Sequence, residues 1–288
     1  MKYAFIDEER DSYQVTTLCR VLNVSRRGYY DWIDRPDSAR EQTNQQLLVE
    51  IRRIFKETQE VYGAPRIHKE LNETGYPCGL NRVARLMKKA GIVPKTVKKF
   101  RITTDSRKSN KPAENVLNQE FSATRRHEKW VADVTYIPTR EGWLFLAAVL
   151  DLFTRKIVGW SMSDRLTAQL SIQALQNAIA QEGQVEGLIH HSDRGKEYYA
   201  KEYQKLLKEN GIICSMSRKG NCYDNAVMES FFHSFKVELV HHEDFYTRAQ
   251  ARTATFDYIE LFYNRKRRHS SIGYMSPVDF DEQRSLEN

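Results

Sequence analysis

The sequence predicts an α/β fold: a mixed-sheet core covered by helices, preceded by all-α modules of helix-turn-helix type. Three observations carry that reading. Apolar residues recur at helical spacing up to about residue 93, then change near Glu128 to strand-like runs. A polar, basic stretch poor in large apolar groups separates the two textures. The order that follows is three strands, then helix, strand, helix, strand, helix, as in a layered sheet protein.

Composition bounds the classes. With 288 residues, 40% hydrophobic and 11% aromatic, the chain can bury a substantial core and is not a disordered tail. No apolar run approaches the roughly 18 residues of a membrane span, and the polar start Met1-Lys2-Tyr3-Ala4-Phe5-Ile6-Asp7 does not read as a signal peptide. A cytoplasmic protein without a membrane partner is expected. Cys19, Cys78, Cys214 and Cys222 form no CxxC pair, which argues against a disulfide framework or cysteine zinc site. The net charge of +7 points to a polyanionic partner. Its distribution says more: Lys95, Lys98, Lys99, Arg101, Arg107, Lys108 and Lys111 face the single acid Asp105, and Arg265-Lys266-Arg267-Arg268-His269 forms a second basic knot.

In chain order, residues 12–33 read as two short helices around Asn23-Val24, the first striped by Val15, Leu18, Cys19 and Leu22, the second capped by Ser25. Pro36 closes this helix-turn-helix-like segment, residues 1–36. A second helical module, residues 43–93, shows one helix through Leu47, Ile51, Ile54 and Phe55. The turn Tyr62-Gly63-Ala64-Pro65 leads to another through Ile67 and Leu71, and a third runs through Val83, Leu86 and Met87. That third helix carries Arg82, Arg85, Lys88 and Lys89 beside its stripe, as a helix facing DNA phosphates would. Residues 94–125 read as a basic linker.

From residue 126 to 288 the α/β core is expected. Trp130 to Ile137, Trp143 to Leu152 and Lys156 to Met162 read as an antiparallel meander. Thr167 opens a helix with Leu170, Ala174, Leu175, Ala178 and Ile179 on one face. Leu188 to His191 is a short buried strand, Tyr203 to Leu207 belong to a helix, and Ile212 to Met216 form a last strand. Asp224 is expected to cap the following helix, and Asp151 to shape the turn between two strands.

Three acids stand out against this frame. Asp133 interrupts an otherwise apolar strand, which is costly unless the carboxylate is paired or holds a metal. Asp193 ends the run Leu188-Ile189-His190-His191-Ser192, at the carboxyl edge where α/β sheets place ligands. Glu229 follows after 35 intervening residues on the helix Asn225 to Lys236. There Asn225, Glu229, His233 and Lys236 recur on one polar face, beside the apolar stripe of Met228, Phe231, Phe232, Phe235 and Leu239. Lys236 lies about 10 Å along the helix from Glu229, in reach of a nucleic-acid backbone. Converging carboxylates repel one another without a cation, and oxygen-only donor sets suit Mg²⁺. Phosphodiester chemistry uses such ions in pairs to neutralise attacking and leaving oxygens.

With these residues in view, the chain resembles the DDE transposases of the insertion-sequence-three family, in particular the product of their long second reading frame. The segments carrying the likeness are Trp130 to Ile137, His191-Ser192-Asp193-Arg194-Gly195, Tyr223-Asp224-Asn225-Ala226 leading to Glu229 and Lys236, and the tail residues Tyr263-Asn264, Arg267, His269 and Pro277. Tyr62-Gly63-Ala64-Pro65-Arg66-Ile67 and Gly91-Ile92 resemble the family's helix-turn-helix module. Cys222 departs from the proline common there. The resemblance implies a ribonuclease-H-like catalytic core using two Mg²⁺, with Mn²⁺ as a substitute. It implies cutting at the terminal inverted repeats and attack of the freed 3′-hydroxyl on target DNA, with no covalent protein intermediate. Asp133, Asp193 and Glu229 become the metal-holding acids, and Lys236, His233, Asn225, Arg82, Arg85, Lys88, Lys89, Arg267 and His269 the DNA contacts. A homodimer or larger complex on DNA, fusion to the upstream small-frame product, and a place in the bacterial cytoplasm at the nucleoid also follow from it. The competing readings are a ribonuclease-H-fold nuclease and an inactive DNA-binding repressor.

Overall fold

A computed structural model describes residues 1–95, 113–183, 185–218 and 222–286. Lys98, Lys99, Arg101, Asp105, Arg107, Lys108 and Lys111 lie outside them.

The N-terminal segment has one helix more than its periodicity announces. Helices α1 (Lys2–Glu9), α2 (Val15–Val21) and α3 (Arg26–Ile33) close over a small core of Ile6, Leu18, Cys19 and Tyr29. Helix α1 buries one residue, Ile6, and so shows no stripe. Ser25 caps α3 as expected, its Oγ accepting the Gly28 N–H at 2.9 Å. The second module comprises α4 (Ala39–Glu57), α5 (Ala64–Glu73) and α6 (Leu80–Lys89). Helix α4 starts earlier than its first buried residue, Leu47, because Ser38 Oγ accepts the Glu41 N–H at 3.2 Å.

The core is a five-stranded mixed sheet. Strands β1 (Lys129–Thr139), β2 (Gly142–Asp151) and β3 (Ile157–Ser163) form the expected antiparallel meander. After α7 (Ala168–Glu182), strand β4 (Ile189–Ser192) pairs parallel with β1. After α8 (Lys201–Glu209), strand β5 (Ile213–Met216) pairs parallel with β4, giving the order β3-β2-β1-β4-β5. Helix α9 (Ala226–Glu238) follows a short 3₁₀ turn, Cys222–Asn225. The tail holds α10 (Arg248–Phe256), a π-helical turn (Asp257–Tyr263) and α11 (Pro277–Leu286).

Strand alternation sorts the two faces. Trp130, Ala132, Val149 and Val158 pack under Leu170, Ala174, Leu175 and Ala178 of α7. Val131, Ile137, Leu144 and Leu146 pack under Met228, Phe231, Phe232 and Phe235 of α9. That second core continues without a break into Leu47, Ile51, Ile67 and Val83 of the helical module.

Two expectations about acids part company. Asp151 does shape its turn: fully buried, it accepts from the Phe153 and Thr154 N–H groups at 2.9 and 2.8 Å, and from Trp130 Nε1 at 3.1 Å. Asp224 does not cap α9, whose N-cap is Asn225. Its carboxylate instead accepts from Arg218 N and Nη2 at 2.7 and 2.9 Å, Asn115 Nδ2 at 3.0 Å and Gln119 Nε2 at 2.8 Å. The linker reading also needs correction at its second half. Leu117 is buried, its N–H donates to Ser215 Oγ at 3.0 Å, and Phe121 packs on the core.

Candidate active site

The pairing of β1 with β4 brings two distant acids together. The parallel register matches Trp130 with His190, Val131 with His191 and Ala132 with Ser192. The next residue on each strand is Asp133 and Asp193, so the two acids stand side by side on strands about 4.8 Å apart. By alternation Asp133 shares the α9 face with Val131 and Ile137. Asp133 Oδ1 accepts the Val134 N–H at 2.7 Å, and Asp193 Oδ1 accepts the Gly195 N–H at 2.8 Å.

Helix α9 brings the third acid. Asn225, buried at its N-cap, donates from Nδ2 to the Ala132 carbonyl at 3.2 Å. This ties the start of α9 to the residue before Asp133 and sets Glu229, one turn later, exposed at the rim. Lys236 lies over the Tyr136 ring at 4.5 Å from its centroid. Partial burial lowers the Lys236 ammonium while the charge of Asp133 opposes the shift. Burial and then the charge of Asp193 push the Asp133 carboxyl well above the usual carboxylate range; Glu197 and Glu229 add to this against the Val134 N–H. Burial likewise raises Asp193, opposed by the Gly195 N–H.

Glu197 is the group that the sequence reading missed. It follows Asp193 by four residues in the same loop, and burial and the charge of Asp193 raise its carboxyl. A glycine and a second acid within one strand-end loop were the available signal. Next to it Tyr198 is 1% exposed, and its hydroxyl finds no hydrogen-bond partner among the described residues.

The donor set is oxygen only, as a hard divalent cation requires. Among the described residues no three His, Cys, Asp or Glu side chains are already drawn together closely enough to hold an ion. The acids form an open set linked by their charges, which suits Mg²⁺, held by a few carboxylates with substrate completing the shell.

The expected DNA contacts divide. His233, Arg85 and Lys88 are exposed, and Lys89 is exposed but near Glu41 at 3.4 Å. Arg82 is occupied by Asn44 Oδ1 at 2.9 Å. Three residues are better read as structural. Asn225 is the buried clamp just described. Arg267 is buried and bonded to Glu238 from Nε and Nη2 at 2.8 and 2.6 Å. His269 sits edge-on to Tyr263 with ring centroids 4.8 Å apart. Burial removes Asn225 and Arg267 from water and equally from a phosphate, and the half-buried His269 is held by its ring contact.

Comparison with known proteins gives three family matches: an HTH-like domain at residues 42–100, and integrase core domains at residues 123–222 and 229–285. Together with the strand order, the integrase-core match agrees with a ribonuclease-H-like core. The chain is 43% identical over 283 residues to the transposase InsF for insertion sequence IS3A of Escherichia coli (strain K12), covering 98% of each. It is 45% identical over 265 residues to the insertion element IS600 uncharacterized 31 kDa protein of Shigella sonnei, covering 92% of this chain and 97% of that protein. Among solved structures, it is similar to the HTLV-2 integrase catalytic core domain in complex with magnesium, in the trimeric form. The identity is 15% and the TM-score 0.39, over 54% of this chain and 95% of that one. A simian T-cell lymphotropic virus intasome in complex with the PP2A regulatory subunit B56 gamma gives 13% and 0.43, over 74% and 69%.

Proposed function

The chain belongs to the insertion-sequence-three family of transposases, and from that premise we propose that Asp133, Asp193 and Glu229 hold the divalent cations for DNA cleavage and strand transfer at the element's ends. The observation that carries this is the β1–β4 register, which sets Asp133 beside Asp193, with Glu229 close enough for Asp133 to feel its charge. Two Mg²⁺ held there, with Mn²⁺ as a substitute, would supply charge neutralisation at the attacking and leaving oxygens of the phosphodiester.

The chain's own residues do the positioning. The sheet fixes Asp133 and Asp193, Asn225 fixes the start of α9, and Lys236, braced on Tyr136, presents its ammonium to a strand entering the site. Exposed Arg85 and Lys88 on α6 face the DNA from the second module. We assign end recognition to residues 1–36 and 43–93 and catalysis to 126–288, with 94–125 joining them through a second half that packs on the core. Transposition joins two ends, so the working unit is a homodimer or larger on terminal repeats and target DNA, with the upstream small-frame product as a fusion partner. No helix among the described residues is long and apolar enough to cross a membrane, and the substrate places the protein in the cytoplasm at the nucleoid.

Asp193→Asn tests the triad. With a labelled transposon end carrying a free 3′-hydroxyl, joining should fall on the order of 10³-fold or more, while DNA retention on a filter stays the same. Undiminished joined product would overturn the assignment. Wild-type cleavage without any joining would instead favour a hydrolytic nuclease.

A further inference from the structure

The loop after β4 folds a second acid back toward the first. Asp193 Oδ1 accepts the Gly195 N–H, and the Glu197 carboxylate lies against the other side of that same glycine, so close that a methyl there would overlap it. Residue 195 admits this fold because it has no Cβ. Among the described residues no basic side chain pairs with Glu197, Asp133 or Asp193. Three carboxylates thus share one sheet edge with no ion pair among the described residues, Lys236 acting on Asp133 only through its charge, and crowding them costs free energy until a cation arrives.

Tyr198 supplies an independent sign of what the edge awaits. Its ring is locked in the core, edge-on to Tyr203 with centroids 5.3 Å apart. Its hydroxyl is buried and unpartnered, and it lies within the field of Asp133, Asp193 and Glu197. Leaving a hydroxyl buried and unbonded costs free energy that phenylalanine would avoid. A donor kept there is explained by a ligand that brings an oxygen to it: a water of a hydrated cation, or a carboxylate turned by one.

We propose that Glu197 is a fourth carboxylate of the cation site and that the Tyr198 hydroxyl is the donor that orders this acid set around the ion. The inference rests on the assignment of Asp133, Asp193 and Glu229 as cation-holding acids and extends it by two residues. Glu197 holds the ion from the loop side, opposite Glu229 on α9. Tyr198 is a positioning residue.

Mn²⁺ binding to the full chain, read from the paramagnetic resonance of free Mn²⁺, tests this without DNA or turnover. Glu197→Gln keeps the shape and removes the charge; its Kd for Mn²⁺ should rise at least about 10-fold, with an unchanged circular dichroism spectrum. Tyr198→Phe keeps the ring and should weaken binding by roughly 10-fold. Gly195→Ala, which displaces Glu197 without altering it, should weaken binding too, and it decides the question if Glu197→Gln does not fold. Wild-type Mn²⁺ affinity in Glu197→Gln, alongside lost affinity in Asp193→Asn, overturns this proposal and leaves the three-acid reading standing. Wild-type affinity in both variants overturns the three-acid reading itself.

Discussion

Glu182, in the last turn of α7, gathers Lys156 Nζ at 2.7 Å, Arg126 Nη2 at 2.9 Å and His127 Nε2 at 3.1 Å, with its side chain only 3% exposed. Burial pulls its carboxyl upward, but these hydrogen bonds and the charge of Lys156 outweigh it and hold the group down at about 2. A carboxyl depressed in the folded state stabilises above its ordinary value of 4.5, and that contribution is lost as pH falls through about 2. Glu182→Gln should therefore cost about 1–3 kcal/mol at neutral pH, and its deficit in urea unfolding should shrink between pH 4.5 and 2. A deficit that stays constant over that range would contradict the assignment. Lys236→Ala tests a different residue: the salt slope of DNA binding should fall by about one unit, and an unchanged slope would remove Lys236 from the DNA path. At this scale the sequence was a good guide where chemistry was unusual, as with an acid inside an apolar strand at Asp133. It misled where a residue type serves two ends. Arg267 and His269 read as a basic patch because sequence carries charge, not burial, and Glu238, which neutralises Arg267, is 29 residues away.

Among the elements, β3 and α7 approach closely at Gly159. A Cβ there would overlap the Ala174 carbonyl and the backbone and side chain of Ala178. Gly159→Ala should force α7 off the sheet and cost about 1–3 kcal/mol, seen as a lower urea midpoint at unchanged slope; an unshifted midpoint would show the helix can move freely. The meander and the later helices were legible because their patterns are local: alternation, apolar runs and caps such as Ser25. The parallel pairing of β1 with β4 was not, since the partners Lys129 and Ile189 meet only after β2, β3 and α7 intervene. That non-local pairing creates the site. Helix α1 escaped notice for the opposite reason, a single buried residue in eight.

Across the whole molecule, the second helical module is bolted to the tail. Tyr62, 1% exposed, donates to the Lys266 carbonyl at 2.8 Å and accepts the Arg268 N–H at 2.9 Å. Arg268 reaches Glu70 and Glu73 of α5, each at 2.5 Å. Arg268→Ala leaves Glu70 without its ion pair and Glu73 with Lys69 alone, and should lower stability by about 1 kcal/mol. Thermal unfolding, expected as one transition in the parent chain, should then separate into two as the module melts before the sheet. One transition at the parent's midpoint would show that the apolar core alone couples them. The basic knot around Arg267 thus has a structural use that composition could not reveal.

The Tyr62–Arg268 junction also bears on the order of synthesis. A growing chain folds from its N-terminus, so the module of α4 to α6 leaves the ribosome long before residues 266 to 268 exist. Its apolar seat is complete by Tyr263, but its polar joint closes only once residues 266 to 268 are made. A chain broken off before Arg268 keeps the apolar seat but lacks the Tyr62 and Glu70 partners, so finishing the tail is what locks the helical module in one orientation on the sheet.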